Sequence, residues 1–149
     1  MPELKLCVGV GSRCMDISKL SVSYHRAKVA AHMAIVQKKR VIKFDECGLF
    51  RLLYMVEDKG ILKELEAECL AALEEHDRRY HANYVETLHA YLKHNGSIQA
   101  VASEMYTHRN TVLYRIGNIK KILGNELKTP EERLPYHIAF YIREMQGWI

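Results

Sequence analysis

The chain has 149 residues, of which 48% are hydrophobic and 27% charged, and a formal net charge of +4 at pH 7. These values are typical of a soluble globular protein with one ordinary domain or two small ones. No apolar run approaches the roughly 18 residues of a membrane helix, and the N-terminus lacks the features of a signal peptide. A membrane span is therefore excluded, and we expect a cytoplasmic protein.

The first 48 residues predict a small β-α-β unit. Residues 4–10 (LKLCVGV) and 41–44 (VIKF) are β-prone and lie next to glycines or turns, which predicts two short strands. The alanine-rich segment 18–37 between them has helical periodicity. The predicted core stripe of this helix consists of Leu20, Tyr24, Ala27, Ala31 and Ala34. A unit this small is expected to be the end of a larger domain.

Residues 49–83 predict helices with a break near residues 58–60. The second helix has an acidic outer surface, and its predicted core stripe consists of Ile61, Leu65, Cys69 or Leu70, and Leu73. Amphipathic spacing of this kind is typical of an ordinary surface helix, so we predict a helical connector without chemistry of its own.

The last 66 residues predict four helices. The first ends at Asn95–Gly96, a C-terminal helix signal, and Ser97 is placed to cap a short helix over 98–105. A third helix over about 108–123 ends at Gly124.

The final helix begins with Thr129 as N-cap, Pro130 at the first helical position and Glu132 completing a capping box. Its predicted core stripe is Leu134, Ile138, Tyr141 and Met145. The predicted fold class is therefore mainly α, a C-terminal helical bundle preceded by the β-α-β unit.

The helices over 98–105 and 108–123 are joined by a short turn, which is the outline of a helix-turn-helix unit. The second helix has a narrow core stripe of Val112, Ile116, Ile119 and Leu123. Its opposite side is polar and cationic, and no acidic residue occurs between residues 107 and 125. An ordinary surface helix would carry Glu–Lys pairs there, so this composition favours contact with a nucleic acid over a solvated face.

Arg and Asn can pair bidentately with base edges, and a helix N-terminus offers free N–H groups to a phosphate. We therefore predict phosphate contacts for His108, Arg109 and Lys121. Base-edge or groove-wall contacts are predicted for Asn110, Thr111, Tyr114, Arg115 and Asn118. Ser97 and Gln99, at the start of the preceding helix, are predicted to contact the flanking strand.

The segment ETLHAYLKHNGSIQAVASEMYTHRNTVLYRIGNIKKILG (residues 86–124) resembles the C-terminal helix-turn-helix domain of the PucR family of bacterial transcription regulators, which includes purine-catabolism regulators. The most specific piece is His108-Arg109-Asn110-Thr111 followed by Tyr114-Arg115. The resemblance covers about residues 73–142 and extends, more distantly, to Fis-like proteins. It implies sequence-specific binding of double-stranded DNA by a recognition helix over about 108–123. Thr107 departs from the apolar residue that the family pattern leads us to expect.

The front of the chain is similar to the last strand-helix-strand part of the degenerate GGDEF-like domain that precedes this DNA-binding end in the family. The catalytic loop of active diguanylate cyclases is absent. The predicted organisation is therefore a GGDEF-like remnant (1–48), a helical connector (49–83) and the helix-turn-helix domain (84–149). Any small-molecule effector is expected to bind a sensory domain that this sequence lacks.

Other functions find less support in the residues. His76, Asp77 and His81 could be arranged as an acid/base site, but no nucleophile or orienting group accompanies them. The stretch GVGSR (9–13) lacks the full spacing of a phosphate loop, and the four cysteines lack metal-ligand spacing. We predict no catalysis, cofactor or metal. A protein-interaction or dimerisation module without DNA binding stays open as the alternative, and specificity for DNA would imply a homodimer on paired half-sites.

Overall fold

The computed structural model describes residues 6–145, which form seven helices and two short strands. The mainly helical fold predicted from the sequence is confirmed. The chain divides into two compact units, one ending at Glu57 and the other beginning at Asp58. Within the described residues, no helix is both long and apolar enough to cross a membrane. The three-part domain division stays a prediction.

The first unit contains a β-α-β arrangement. Strands β1 (Val8–Val10) and β2 (Val41–Lys43) pair in parallel, with Val8 opposite Val41, and helix α1 (Leu20–Val36) connects them. A short helix α2 (Phe50–Met55) follows. Gly9 in β1 lies so close to α1 that a β-carbon there would overlap the backbone of the helix. The absence of a side chain at this position therefore sets how closely the helix packs on the strands.

The predicted core stripe of α1 is wrong in its first half. Leu20 and Tyr24 are 60% and 68% exposed, whereas the second half of the helix buries Val29, Ala30 and Met33. A three-residue strand spans only about 10 Å, but a 17-residue helix spans about 25 Å. The two strands therefore cannot cover the first turns of α1, whatever the hydropathy of those turns.

The second unit is a bundle of five helices. They are α3 (Lys59–Tyr80), α4 (Tyr84–Lys93), α5 (Ile98–Glu104), α6 (Arg109–Leu123) and α7 (Pro130–Glu144). One apolar core joins them, in which Leu73, Leu88, Val101, Val112 and Ala139 are fully buried. Burial of these side chains is the main force that fixes the positions of α4, α5 and α6 relative to each other.

The predicted helix ends are confirmed. The Ser97 side chain accepts a hydrogen bond from the Ala100 N–H at the start of α5. Thr129 and Glu132 form the capping box of α7. At the end of α6, Gly124 adopts a left-handed conformation with φ of 61°. Each of these signals depends on residues within a few positions of the helix end, which is why the sequence is sufficient to locate them.

Asp77, which lies between His76 and His81 of the possible acid/base site, caps a helix. Its carboxylate accepts hydrogen bonds from the backbone N–H groups of Tyr84 (2.7 Å) and Val85 (2.9 Å) at the start of α4. The N-cap residue of α4, Asn83, makes no side-chain capping bond itself. The cap of α4 is therefore supplied by α3, and it holds the two helices together at this corner.

The predicted core stripes of α3 and α7 are confirmed toward their ends, where Leu70, Leu73 and Met145 are fully buried, and wrong at their first residues. Ile61 and Leu134 are more than half exposed, and the first half of α3 buries Leu62 and Glu66 instead. Glu66 accepts a 2.7 Å ion-paired hydrogen bond from Arg143 of α7. A charged residue can occupy a core position when its partner comes from another helix, and hydropathy alone does not reveal such a pair.

Candidate nucleic-acid interface

The turn between α5 and α6 has a defined backbone geometry. The Thr107 N–H donates to the Ala102 carbonyl at 3.0 Å, which closes the end of α5 around Tyr106. Tyr106 has a φ of 50°, in the left-handed region. This pattern is a Schellman C-cap, in which the left-handed residue is most often glycine. Thr107 therefore fits the turn through its backbone.

His108 fixes the start of α6. Its Nδ1 atom accepts a hydrogen bond from the Asn110 N–H at 3.2 Å, so the imidazole serves as the N-cap. Arg109 and Asn110 consequently lie in the first turn of the helix, and both are exposed. The positive end of the helix dipole and two polar side chains meet at this point.

The two sides of α6 differ sharply. Val112 and Ile119 are fully buried and Ile116 is 4% exposed, which confirms the predicted core stripe at these positions. The opposite side, here called the outward face, consists of the exposed residues Asn110, Thr111, Tyr114 and Lys121. The outward face therefore combines amide, hydroxyl, phenol and ammonium groups on one side of a helix that is held in place by its core side.

Two predicted contact residues lie at the edge of α6 and bond within the domain. The Asn118 side-chain amide donates to the Tyr84 hydroxyl at 2.9 Å, and an Arg115 guanidinium nitrogen lies 3.5 Å from the Thr87 hydroxyl. Both side chains are half-buried. They connect α6 to α4, so the structure places them beside the outward face and not on it.

The charge around the helix-turn-helix is positive after local pairing is taken into account. Glu104, the only acidic residue between 93 and 121, is bonded to Lys93 and His94 at 2.8 and 2.6 Å. The hydrogen bond from Lys93 is the main cause that lowers the pKa of Glu104. Among the described residues, Arg109 and Lys121 take part in no ion pair. Their charges are therefore available to an anionic partner.

The first helix of the motif, α5, offers fewer groups to a nucleic acid than α6 does. Ser97 and Gln99 are exposed at the start of α5, on the same helix that packs against α6. The Ser97 hydroxyl is already used as the cap of that helix. A Ser97 contact to a nucleic acid would have to use the remaining hydrogen-bonding capacity of this hydroxyl.

Sequence reasoning missed Tyr106. This aromatic side chain is 97% exposed, although it lies in the middle of the turn between α5 and α6. A bulky residue is disfavoured in the left-handed conformation that the turn imposes. The signal available in the sequence was the absence of Gly or Asn at this position, where the end of a short helix usually places one.

Two histidines lie away from this surface, on α4 and α7. The His89 ring stacks on Phe140 with a centroid separation of 4.5 Å. Desolvation lowers the pKa of His89, and burial likewise lowers the pKa of His137. In the part of the chain that the structure describes, no group of three or more His, Cys, Asp and Glu residues is placed to hold a metal ion.

Comparison with known proteins identifies the domain that contains this motif. Residues 84–142 match the family model described as the PucR C-terminal helix-turn-helix domain. The match begins at the first residue of α4 and includes α5, α6 and most of α7. It therefore covers the whole helix-turn-helix together with α4, but not α3, which caps α4.

Three similar proteins come from Bacillus subtilis (strain 168). The proline-responsive transcriptional activator PutR is 28% identical over 123 residues, or 80% of this chain and 30% of that protein. The DNA-binding transcriptional activator AdeR is 25% identical over 142 residues, or 93% and 33% respectively. The purine catabolism regulatory protein is 29% identical over 123 residues, or 83% and 21%. The aligned part of this chain thus spans a third or less of each relative.

Proposed function

Because residues 84–142 form a PucR-type C-terminal helix-turn-helix domain, we propose that this chain binds double-stranded DNA as part of a transcription regulator in the cytoplasm. The observation that carries the proposal is the outward face of α6. It is polar and exposed, and the free cations of Arg109 and Lys121 lie at its two ends. The proposal includes no catalytic step, cofactor or metal.

In this proposal α6 enters the major groove of the DNA. The start of the helix, with His108 and Arg109, meets a backbone phosphate, and Lys121 meets another about three turns along. Between them, Asn110, Thr111 and Tyr114 face the base edges and the groove wall. Ser97 and Gln99 approach the flanking strand from the start of α5.

Arg115 and Asn118 have a different part in the proposal. Each bonds to a residue of α4, Thr87 or Tyr84, so each helps to set the angle at which α6 meets the groove. The guanidinium has five N–H donors, of which the bond to Thr87 uses one. The others can still reach a phosphate or base. Asn118 has an amide oxygen left for the DNA.

We further propose that two copies bind together. A single recognition helix reads only a few base pairs, whereas two helices placed about 34 Å apart read two successive major grooves on the same side of the duplex. The expected complex is therefore a homodimer on paired half-sites. Sedimentation with a labelled duplex would report the ratio of protein to DNA directly.

The decisive experiment is titration of a fluorescein-labelled duplex with the full chain, followed by anisotropy over a series of salt concentrations. Lys121→Ala is the test variant, and Lys63→Ala on α3 is the control, because it removes another exposed lysine, outside the helix-turn-helix. We expect wild-type affinity to fall steeply with salt, and Lys121→Ala to reduce the slope of log K against log salt by roughly 0.9.

Two results would reject the proposal. A folded wild-type protein that binds no duplex at low salt would favour the alternative, a protein-interaction module whose α6 surface contacts another protein. Equal loss of affinity in the Lys121 and Lys63 variants would indicate a general charge effect without a site on α6.

A further inference from the structure

Gly117 is in the middle of α6, where glycine is unfavourable for the helix. It is the ninth of the 15 residues of this helix. Glycine loses more backbone freedom on folding than alanine and lowers helix stability at interior positions. A glycine that persists there needs a reason in packing, backbone conformation or function.

In the described part of the domain, neither packing nor backbone conformation gives a reason for glycine at this position. A β-carbon built on Gly117 would meet no heavy atom within 4 Å, and the residue does not have a positive φ. Each of the other six glycines in residues 6–145 has a positive φ or a neighbouring atom that a β-carbon would meet. Gly117 is therefore the one described glycine that the free protein does not require.

Gly117 lies on the same side of α6 as the outward face. Asn110, Tyr114, Gly117 and Lys121 follow each other at spacings of four, three and four residues, which places them on one side of the helix. Tyr114 is 69% exposed one turn before Gly117, and Lys121 is exposed one turn after it. Gly117 itself is half-buried, but the space in front of its α-carbon is open, between an aromatic side chain and a cation.

We propose that Gly117 is a close-approach position, at which the backbone of α6 comes so near to duplex DNA that no β-carbon fits. This inference rests on the proposed function and adds to it. It makes Gly117 a positioning residue for DNA binding, and it means that the helix lies along the groove beyond its N-terminal turn. From Asn110 to Lys121 the contact then extends over about 16 Å of helix.

The inference predicts opposite effects on stability and binding. Gly117→Ala should raise the melting temperature of the full chain by roughly 2–4 °C, because alanine favours the helix and its methyl group has open space. The same methyl group should weaken DNA binding by about fivefold or more, as overpacking of a tight contact does. Gly117→Leu should weaken it further.

The salt series separates this effect from the loss of a charge. Gly117→Ala removes no cation, so its salt slope should equal that of the wild type, whereas the Lys121→Ala slope should be smaller. Gly60→Ala is the control for DNA affinity, because it adds a methyl group to α3, outside the helix-turn-helix. This methyl group would lie 2.9 Å from the Asp58 carboxylate that caps α3, so Gly60→Ala is not a control for stability. We expect this control to leave the DNA affinity unchanged.

Each remaining outcome overturns the inference. If the wild type binds DNA and Gly117→Ala binds equally well or better, the inference fails and the proposed function stands. If sedimentation shows that the variant loses DNA affinity only because the free protein changes its association state, Gly117 contacts protein and not DNA. If the wild type binds no duplex at any salt concentration, the proposed function and the inference fail together.

Discussion

Asp77 provides the sharpest test of how the helix-turn-helix is supported. In Asp77→Ala, two backbone N–H groups at the start of α4 lose the carboxylate that accepts them at 2.7 and 2.9 Å. Loss of an N-cap costs about 0.5–2 kcal/mol, and hydrogen bonds to a charged group contribute about 1.5–3 kcal/mol. Asn83 has no side-chain capping bond to compensate. We therefore expect the free energy of unfolding to fall by about 2–3 kcal/mol.

Urea denaturation followed by far-UV circular dichroism measures this loss. With a slope of about 1–3 kcal/mol per molar urea, the midpoint should fall by roughly 1–2 M. Glu75→Ala is the control, because Glu75 is on the same helix and pairs with Arg78 and Arg79 near the surface. Exposed pairs contribute less than about 1 kcal/mol. If Asp77→Ala costs no more than Glu75→Ala, the Asp77 carboxylate is not the cap of α4.

Three further changes test the structure at other points. Arg143→Ala should destabilise the chain by about 2 kcal/mol in urea denaturation, because buried Glu66 loses the ion-paired hydrogen bond that Arg143 donates; a variant as stable as wild type would show that the pair has no structural role. Tyr106→Gly should raise the melting temperature, because it removes about 1 kcal/mol of left-handed strain; a lower value would mean that the tyrosine packs. The pKa values of His89 and His137 lie below 6.5 in the folded protein, so the unfolded chain binds more protons than the folded chain does once the pH falls below about 6.5. The melting temperature should therefore fall on acidification, and less steeply in a double His→Gln variant; equal slopes would contradict this assignment.

Local features of the fold were predictable from the sequence. The caps at Ser97 and Thr129 and the helix end at Gly124 involve residues a few positions apart, so the pattern contains both partners. The same holds for the core side of α6, where Val112, Ile116 and Ile119 recur at helical spacing. The resemblance to the PucR helix-turn-helix domain, confirmed over residues 84–142, rests on the same short segment.

The orientation of the longer helices was not predictable in this way. Leu20 and Ile61 belong to apolar stripes, yet both are exposed, because the elements that α1 and α3 pack against cover another part of their surface. Glu66 is buried because Arg143 reaches it from a helix more than 70 residues later in the chain. The residues near Glu66 in the sequence do not indicate that partner. A predicted core stripe is therefore wrong where contacts with distant parts of the chain, and not local periodicity, decide which side of the helix is buried.

The candidate site combines both kinds of information. Which residues occupy the outward face follows from the helical repeat, but the direction of α6 depends on α4, through Tyr84 and Asn118. The position of α4 depends in turn on Asp77 of α3, whose carboxylate accepts from the Tyr84 N–H. Tyr84 is thus bonded at its backbone to the cap and at its hydroxyl to α6. A change at Asp77 can consequently alter how α6 meets DNA without touching the outward face, and such an effect should lower affinity while it leaves the salt slope unchanged.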